Sequence, residues 1–146
     1  MKLSTKSRYG TRAMIDIALH SNSGSCMLKD IAQRQDVSAK YLDHILSSLR
    51  KAGLIKNIRG KYGGYSLTRP ASEITMKDIL GSVEASLAPV ECVDNTSACH
   101  KTGTCSSRDV WVRIKEAIED VLESTTLASL VESSNKKEAT GVNYII

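Results

Sequence analysis

Phenylalanine is absent from this chain of 146 residues, aromatic side chains make up 4% of it, and proline occurs twice. A core without Phe must be built mostly from Leu, Ile, Val, Ala and Met, and the length is enough to bury one without staples. Long apolar runs are also missing. The basic start, Met1 to Arg12, leads into no apolar stretch of signal-peptide length, and nothing approaches a membrane span. The expectation is a soluble, cytoplasmic protein. Glycine-rich nucleotide loops and substrate-pocket motifs are absent too, so neither an enzyme nor an electron carrier is expected. Acidic residues are scarce in the first half alone. From Met1 to Arg69, 13 Lys/Arg face 4 Asp/Glu, a net of +9, whereas the remainder carries 7 against 12, a net of −5. The basic half suits a polyanion that the acidic half would repel.

What is present reads as a helical chain with one hairpin. Ala13, Met14, Ile17 and Ala18 recur on one face of a helix over Ser7–Ser21, ended by Asn22-Ser23-Gly24-Ser25. A short helix over Leu28–Gln35 carries Ile31 and Ala32. Asp36-Val37 makes a turn, and Ser38 N-caps a third helix to about Ala52. Val37 and Leu42 stand at hydrophobic-staple positions, and Tyr41, Leu42, Ile45, Leu46 and Leu49 form its inward stripe. Gly53 stops it. Leu54–Arg59 and Tyr65–Arg69 read as strands around the turn Gly60-Lys61-Tyr62-Gly63-Gly64. Thr75 and Asp78 match a capping box for a helix to about Ala85. Ser86–Thr104 lacks periodicity and is expected to be loop. A long helix follows to about Glu123, with one further helical turn over Leu127–Val131.

This order defines a mainly α protein: a winged helix-turn-helix with a small β-hairpin wing and a long C-terminal dimerisation helix. The expected organisation is a DNA-binding domain over residues 1–70, a cysteine-bearing loop with dimerisation helices over 71–132, and a mobile tail over 133–146. The third helix would enter the major groove and offer Ser38, Lys40, Asp43 and His44 to base edges. Arg59 would reach a narrow minor groove. Lys2, Lys6, Arg8, Arg12, Arg50, Lys56 and Lys61 are candidate phosphate contacts. Val110, Trp111, Ile114, Ala117, Ile118, Val121 and Leu122 make an apolar stripe too long for so small a domain to cover. Two copies would bury it, and would set two reading helices against a pseudo-palindromic operator in double-stranded DNA.

Cys92, Cys99 and Cys105 lie close together, with six and five residues between them. In a reducing compartment such a group points to a metal or redox site rather than disulfides. Thiolates select zinc, copper(I) or iron–sulfur clusters, and structural zinc prefers tighter cysteine pairs. The order of preference is cluster, then zinc, then free thiols. Cys26 stands apart, as a small buried residue.

Leu3-Ser4-Thr5-Lys6-Ser7-Arg8-Tyr9-Gly10, Tyr41-Leu42 with Leu49-Arg50-Lys51-Ala52-Gly53-Leu54, Arg59-Gly60 with Gly63-Gly64-Tyr65, the three cysteines and Trp111 together resemble the Rrf family of winged-helix transcription regulators, from Met1 to about Glu132. The cysteines point to its cluster-binding branch. The resemblance implies a homodimeric regulator with a 2Fe–2S cluster on Cys92, Cys99 and Cys105, repressing genes of the iron–sulfur assembly machinery and choosing promoters by cluster occupancy. It carries DNA reading onto Ser38, Lys40, Asp43 and Arg59, with Tyr41 beside them. The branch has serine where Lys40 stands and glutamate where Asp43 stands. It also has a histidine where Arg108 stands, so its fourth ligand does not carry over, and a guanidinium cannot replace it. A nitric-oxide-sensing branch uses a carboxylate where this chain has Arg8. His100 is the first substitute, ahead of Glu91, Asp94, Asp109, the partner chain or solvent. Nitric oxide, iron supply and redox state remain alternative signals.

Overall fold

The structure, a computed structural model, describes residues 2–21 and 24–141. Three helices open the chain. Helix α1, Thr5–His20, starts at Ser4, whose hydroxyl accepts from the Ser7 N–H, and buries Gly10, Ala13, Met14 and Ile17. Helix α2, Leu28–Gln35, ends at Asp36, which adopts a left-handed conformation at φ 52°. An Asp side chain tolerates that geometry, so the chain reverses without glycine. Ser38 then caps α3, Ala39–Lys51, accepting from the Tyr41 N–H at 3.2 Å. Leu42, Ile45, Leu46 and Leu49 point into the core, and Val37 packs against it beside them.

Strands β1, Ile55–Ile58, and β2, Gly64–Leu67, pair antiparallel from Ile55 with Leu67 to Ile58 with Gly64. The hairpin does not hang free. Cys26 and Tyr65 exchange both backbone hydrogen bonds, at 2.9 and 2.7 Å, so the α1–α2 connection flanks the wing. Cys26 is only 4% exposed, as expected of a small core residue.

After a 3₁₀ turn, Ala71–Glu73, α4 spans Met76–Val83 with the Thr75/Asp78 capping box formed in both directions. Residues 86–104 are not wholly irregular: α5, Glu91–Asp94, and a 3₁₀ turn, Thr96–Ala98, interrupt the loop. Helix α6 covers Ser106–Ser124. It packs on α4 and α5 and buries none of its own residues.

The last helix corrects the sequence reading. A helical turn over 127–131 and a mobile tail were expected, yet α7 runs Leu127–Gly141 and packs along α1 and the 3₁₀ turn at 71–73. Leu127 anchors the start of the helix, with its N–H on the Ile74 carbonyl at 2.8 Å, and packing on α1 supports the polar stretch that follows. A Lys136–Glu132 pair at 2.9 Å supports the exposed side. Residues 142–146 of the expected tail lie outside the described residues. Ile74, Ile79 and Leu127 share one hydrophobic cluster with Met14, Ile17 and Leu46. The division near residue 70 is therefore one of charge, and the core crosses it.

Candidate nucleic-acid interface and thiol segment

The exposed side of α3 carries Ser38, Lys40, Asp43, His44 and Arg50, as the periodicity required. Tyr41 differs. It is half-buried, with its ring edge-on to Tyr9 at 6.1 Å, and Arg12 sits over Tyr9 at 5.1 Å. Tyr41 packs against the core, in keeping with its place in the inward stripe. Asp43 accepts from the Tyr65 hydroxyl at 3.4 Å, so the reading helix and the wing share a polar contact. Burial, then the neighbouring Asp43 charge, pushes the Tyr65 hydroxyl above its usual pKa and keeps it a donor. A cleft of about 510 Å³ separates these elements, lined by Lys29, Ala39, Asn57, Arg59 and Tyr65 among others.

Arg59 and Lys61 are exposed in the wing turn, and Lys6 and Arg8 are exposed at the start of α1. The tip also presents Tyr62, whose place in the glycine-rich turn gave no role beyond the turn itself. Tyr62 is 78% exposed, with the Lys61 ammonium 5.8 Å from its ring. Its carbonyl accepts from the Ser25 hydroxyl at 2.6 Å, fastening the tip to the α1–α2 connection. A tyrosine among glycines and cations in a wing turn was the available signal.

The three thiols sit at joints of short elements. Cys92 lies in α5, Cys99 ends the 3₁₀ turn, and Cys105 is the N-cap residue of α6. All are free, Cys99 exposed and the others half-buried. The Ser107 hydroxyl, 3.1 Å from the Cys105 sulfur, and the Arg108 N–H hold that thiol below its usual pKa. Arg108 also donates to the Cys92 carbonyl at 3.1 Å, and Lys115 reaches Asp94 at 2.7 Å, so α5 is clipped to α6. Thr102 accepts no role in that clip; its hydroxyl closes the 96–102 turn on the Thr96 and Cys99 carbonyls.

Three sulfurs are suitable donors for iron or zinc, and in kind they fit a cluster. As folded, the segment does not gather them: among the described residues no group of three or more His, Cys, Asp or Glu side chains is arranged to hold a metal ion. His100 is exposed and belongs to no such group. Asp94 is held by Lys115 and the Ser86 hydroxyl. The expected donors are thus present without the converged geometry.

On α6, Val110, Trp111 and Val121 are 46, 36 and 63% exposed, while Ile114, Ile118 and Leu122 are half-buried. A 19-residue amphipathic helix with no buried residue leaves an apolar face unpartnered. No helix among the described residues is long and apolar enough to cross a membrane.

A capped reading helix, a hairpin wing and a basic head make this a winged helix-turn-helix DNA-binding regulator. The family model described as Rrf2, iron-dependent transcriptional regulator, matches residues 3–133, and the chain belongs to that family. It is 41% identical to the protein rrf2 of Nitratidesulfovibrio vulgaris over 135 residues, covering 92% of this chain and 90% of that one. It is 39% identical to the regulator CymR of Bacillus subtilis over 145 residues, 99% of this chain and all of that one. A solved structure of CymR, described as the global cysteine regulator of B. subtilis, superposes with a TM-score of 0.77 at 41% identity, covering 91% of this chain and 98% of that one. The structure of IscR from T. potens gives 0.75 at 39% identity, covering 92% and 88%. These relatives are transcription regulators, not enzymes.

Proposed function

We propose that the protein is a cytoplasmic, homodimeric repressor of iron–sulfur assembly genes, whose operator choice depends on a 2Fe–2S cluster held by Cys92, Cys99 and Cys105. The observation that carries this is the placement of three free thiols on one short segment clipped to helix α6, the helix whose apolar face is left open. A cluster there would bring the thiols together and order the segment. A coupling of about 1–3 kcal/mol between that ordering and DNA binding is enough to change promoters. Ser38, Lys40, Asp43 and Arg59 read bases, while Lys6, Arg8, Arg50 and Lys61 meet phosphates. Tyr41 supports α3 from within, and Tyr62 adds an aromatic contact at the wing tip. Trp111, Ile114, Ile118, Val121 and Leu122 form the dimer seam.

Anaerobic purification tests the sensor. The wild-type protein is expected to be coloured, with about two irons and two sulfides per protomer. Cys92→Ala is expected to lose both and to shift its relative affinity for two operators by about 5–150-fold. Colourless, iron-free protein with full operator selectivity would reject the cluster reading. The similarity to CymR, and thiols that stand apart as folded, favour a second reading in which the same segment reports redox state or sulfur supply. Reversible oxidation of iron-free protein that changes operator binding would select it.

The seam has its own test. Val121→Lys places a charge on the exposed stripe and is expected to give a monomer by sedimentation. Operator affinity should fall about 100-fold, because one half-site no longer assists the other. An unchanged dimer would move the seam elsewhere.

A further inference from the structure

We propose that Glu84 is a positioning residue that sets the basic N-terminal arm for DNA binding, and that it makes the arm answer to the thiol segment. The proposal rests on the chain being a DNA-binding regulator, and not on which signal the thiols sense.

Glu84 is the C-cap residue of α4, its N–H on the Leu80 carbonyl at 2.8 Å. Its carboxylate crosses most of the sequence to the start of α1. One oxygen accepts from the Ser4 N–H at 2.9 Å and from the Ser7 hydroxyl at 2.5 Å. Ser7 is 1% exposed, so the contact is fixed inside the fold. A carboxylate at this point also faces the positive end of a 16-residue helix whose first turn contains no acidic residue of its own. Burial opposes the charge, but the Ser4 and Ser7 hydrogen bonds, with Lys6 nearby, outweigh it and leave Glu84 below the usual carboxylate pKa.

The groups joined here have different jobs. Lys6 and Arg8 are exposed on the turn that Glu84 holds. Lys2 and Leu3 share a cavity of about 290 Å³ with Glu84, Ser86, Leu87 and Ile118. That cavity brings the arm, the root of the thiol segment and the α6 stripe to one place. Glu84 caps α4 directly before the segment begins, so a shift of the segment pulls on the cap. An arm released from its cap keeps its charges but loses their placement.

Salt-dependent binding to mixed-sequence duplex DNA separates placement from simple stability. Losing the Lys6 and Arg8 phosphate contacts should reduce the slope of log affinity against log salt by about 2 per protomer in Glu84→Ala, with about tenfold weaker binding at low salt. Glu84→Gln, which keeps the acceptor oxygen, guards against a folding defect and should lie between. Lys6→Ala should weaken wild type but add little to Glu84→Ala. A lower melting temperature with an unchanged slope, or additive effects of the two substitutions, would overturn the positioning role. Absence of duplex binding by the wild-type protein would instead overturn the regulator reading together with it.

For the link to the thiols, amide exchange over residues 4–8 is followed before and after alkylation of the full-length protein with iodoacetamide. Exchange should accelerate several-fold in wild type and not respond in Glu84→Ala. No response in wild type would overturn the link.

Discussion

Replacing Gly64 with alanine is expected to unseat the wing and remove most duplex affinity. A Cβ at this position would lie 2.2 Å from the Cys26 carbonyl oxygen, 2.5 Å from its carbon and 2.9 Å from the Met27 nitrogen. All three are backbone atoms, so no side chain can turn away. The methyl group can be accommodated only by separating β2 from residues 26 and 27. That breaks the paired Cys26–Tyr65 hydrogen bonds and disturbs the Tyr65 contact to Asp43. The expected loss is about 2–4 kcal/mol, from two buried hydrogen bonds plus strain. Melting should fall by about 5–15 °C for a chain of this size. Arg59, Lys61 and Tyr62 would lose their fixed orientation, and operator affinity should fall at least about tenfold. Gly81→Ala is the contrast. A Cβ there meets nothing within 4 Å, in a helix interior, so it should stabilise by about 0.5–1 kcal/mol. If Gly64→Ala melts like wild type and still binds operator, the wing is not held through Cys26 in the way described.

That pairing shows where the sequence stopped being legible. Local signals were sufficient for α1–α4, because each helix declares itself through a cap and an apolar face that later fills the core. Ser38 and the Thr75/Asp78 box have partners within a few positions, and Leu42–Leu49 mark an inward face by their spacing alone. The hairpin was readable from Gly60, Gly63 and Gly64 for a similar reason. Its attachment to Cys26 was not, since a single bridge across 39 residues leaves no periodic trace. The polar half of α7 misled because its helix is held by packing on α1, while its polarity alone suggested a tail. Cys92, Cys99 and Cys105 were identifiable by chemistry and spacing. Their separation in the fold was not, nor was the clip of α5 onto α6 through Arg108–Cys92 and Lys115–Asp94, contacts that no motif encodes.

Asp16 is the same problem on the inward face of a helix, and its replacement should produce the largest loss of stability among the polar residues. It follows Ala13 and Met14 and precedes Ile17, all fully buried, and is itself 2% exposed. Its carboxylate is satisfied by Arg34 at 2.7, 3.0 and 3.1 Å and by the Gln35 amide at 2.8 Å. Arg12 grips the other side of Gln35, through its side-chain oxygen and its carbonyl, both at 2.9 Å. Gln35 is the last residue of α2 before the left-handed Asp36 that turns the chain into α3. The network thus fixes the angle at which the reading helix leaves the core. Removing one partner of a buried ion pair typically costs about 3–5 kcal/mol. Here Arg34 keeps about a third of its side chain in water, so solvent recovers part of that and a loss of about 2–4 kcal/mol is expected for Asp16→Ala. Asp16→Asn, which retains an acceptor, should lose less. Because two guanidinium nitrogens of Arg34 donate to the Asp16 carboxylate, the two groups act as one unit. The double variant Asp16→Ala/Arg34→Ala should therefore be less unstable than the two single losses added together, and additive losses in chemical denaturation would refute the coupling. Operator affinity should fall in Asp16→Ala even at temperatures where the protein stays folded, because the joint before α3 has loosened rather than any DNA contact having been removed.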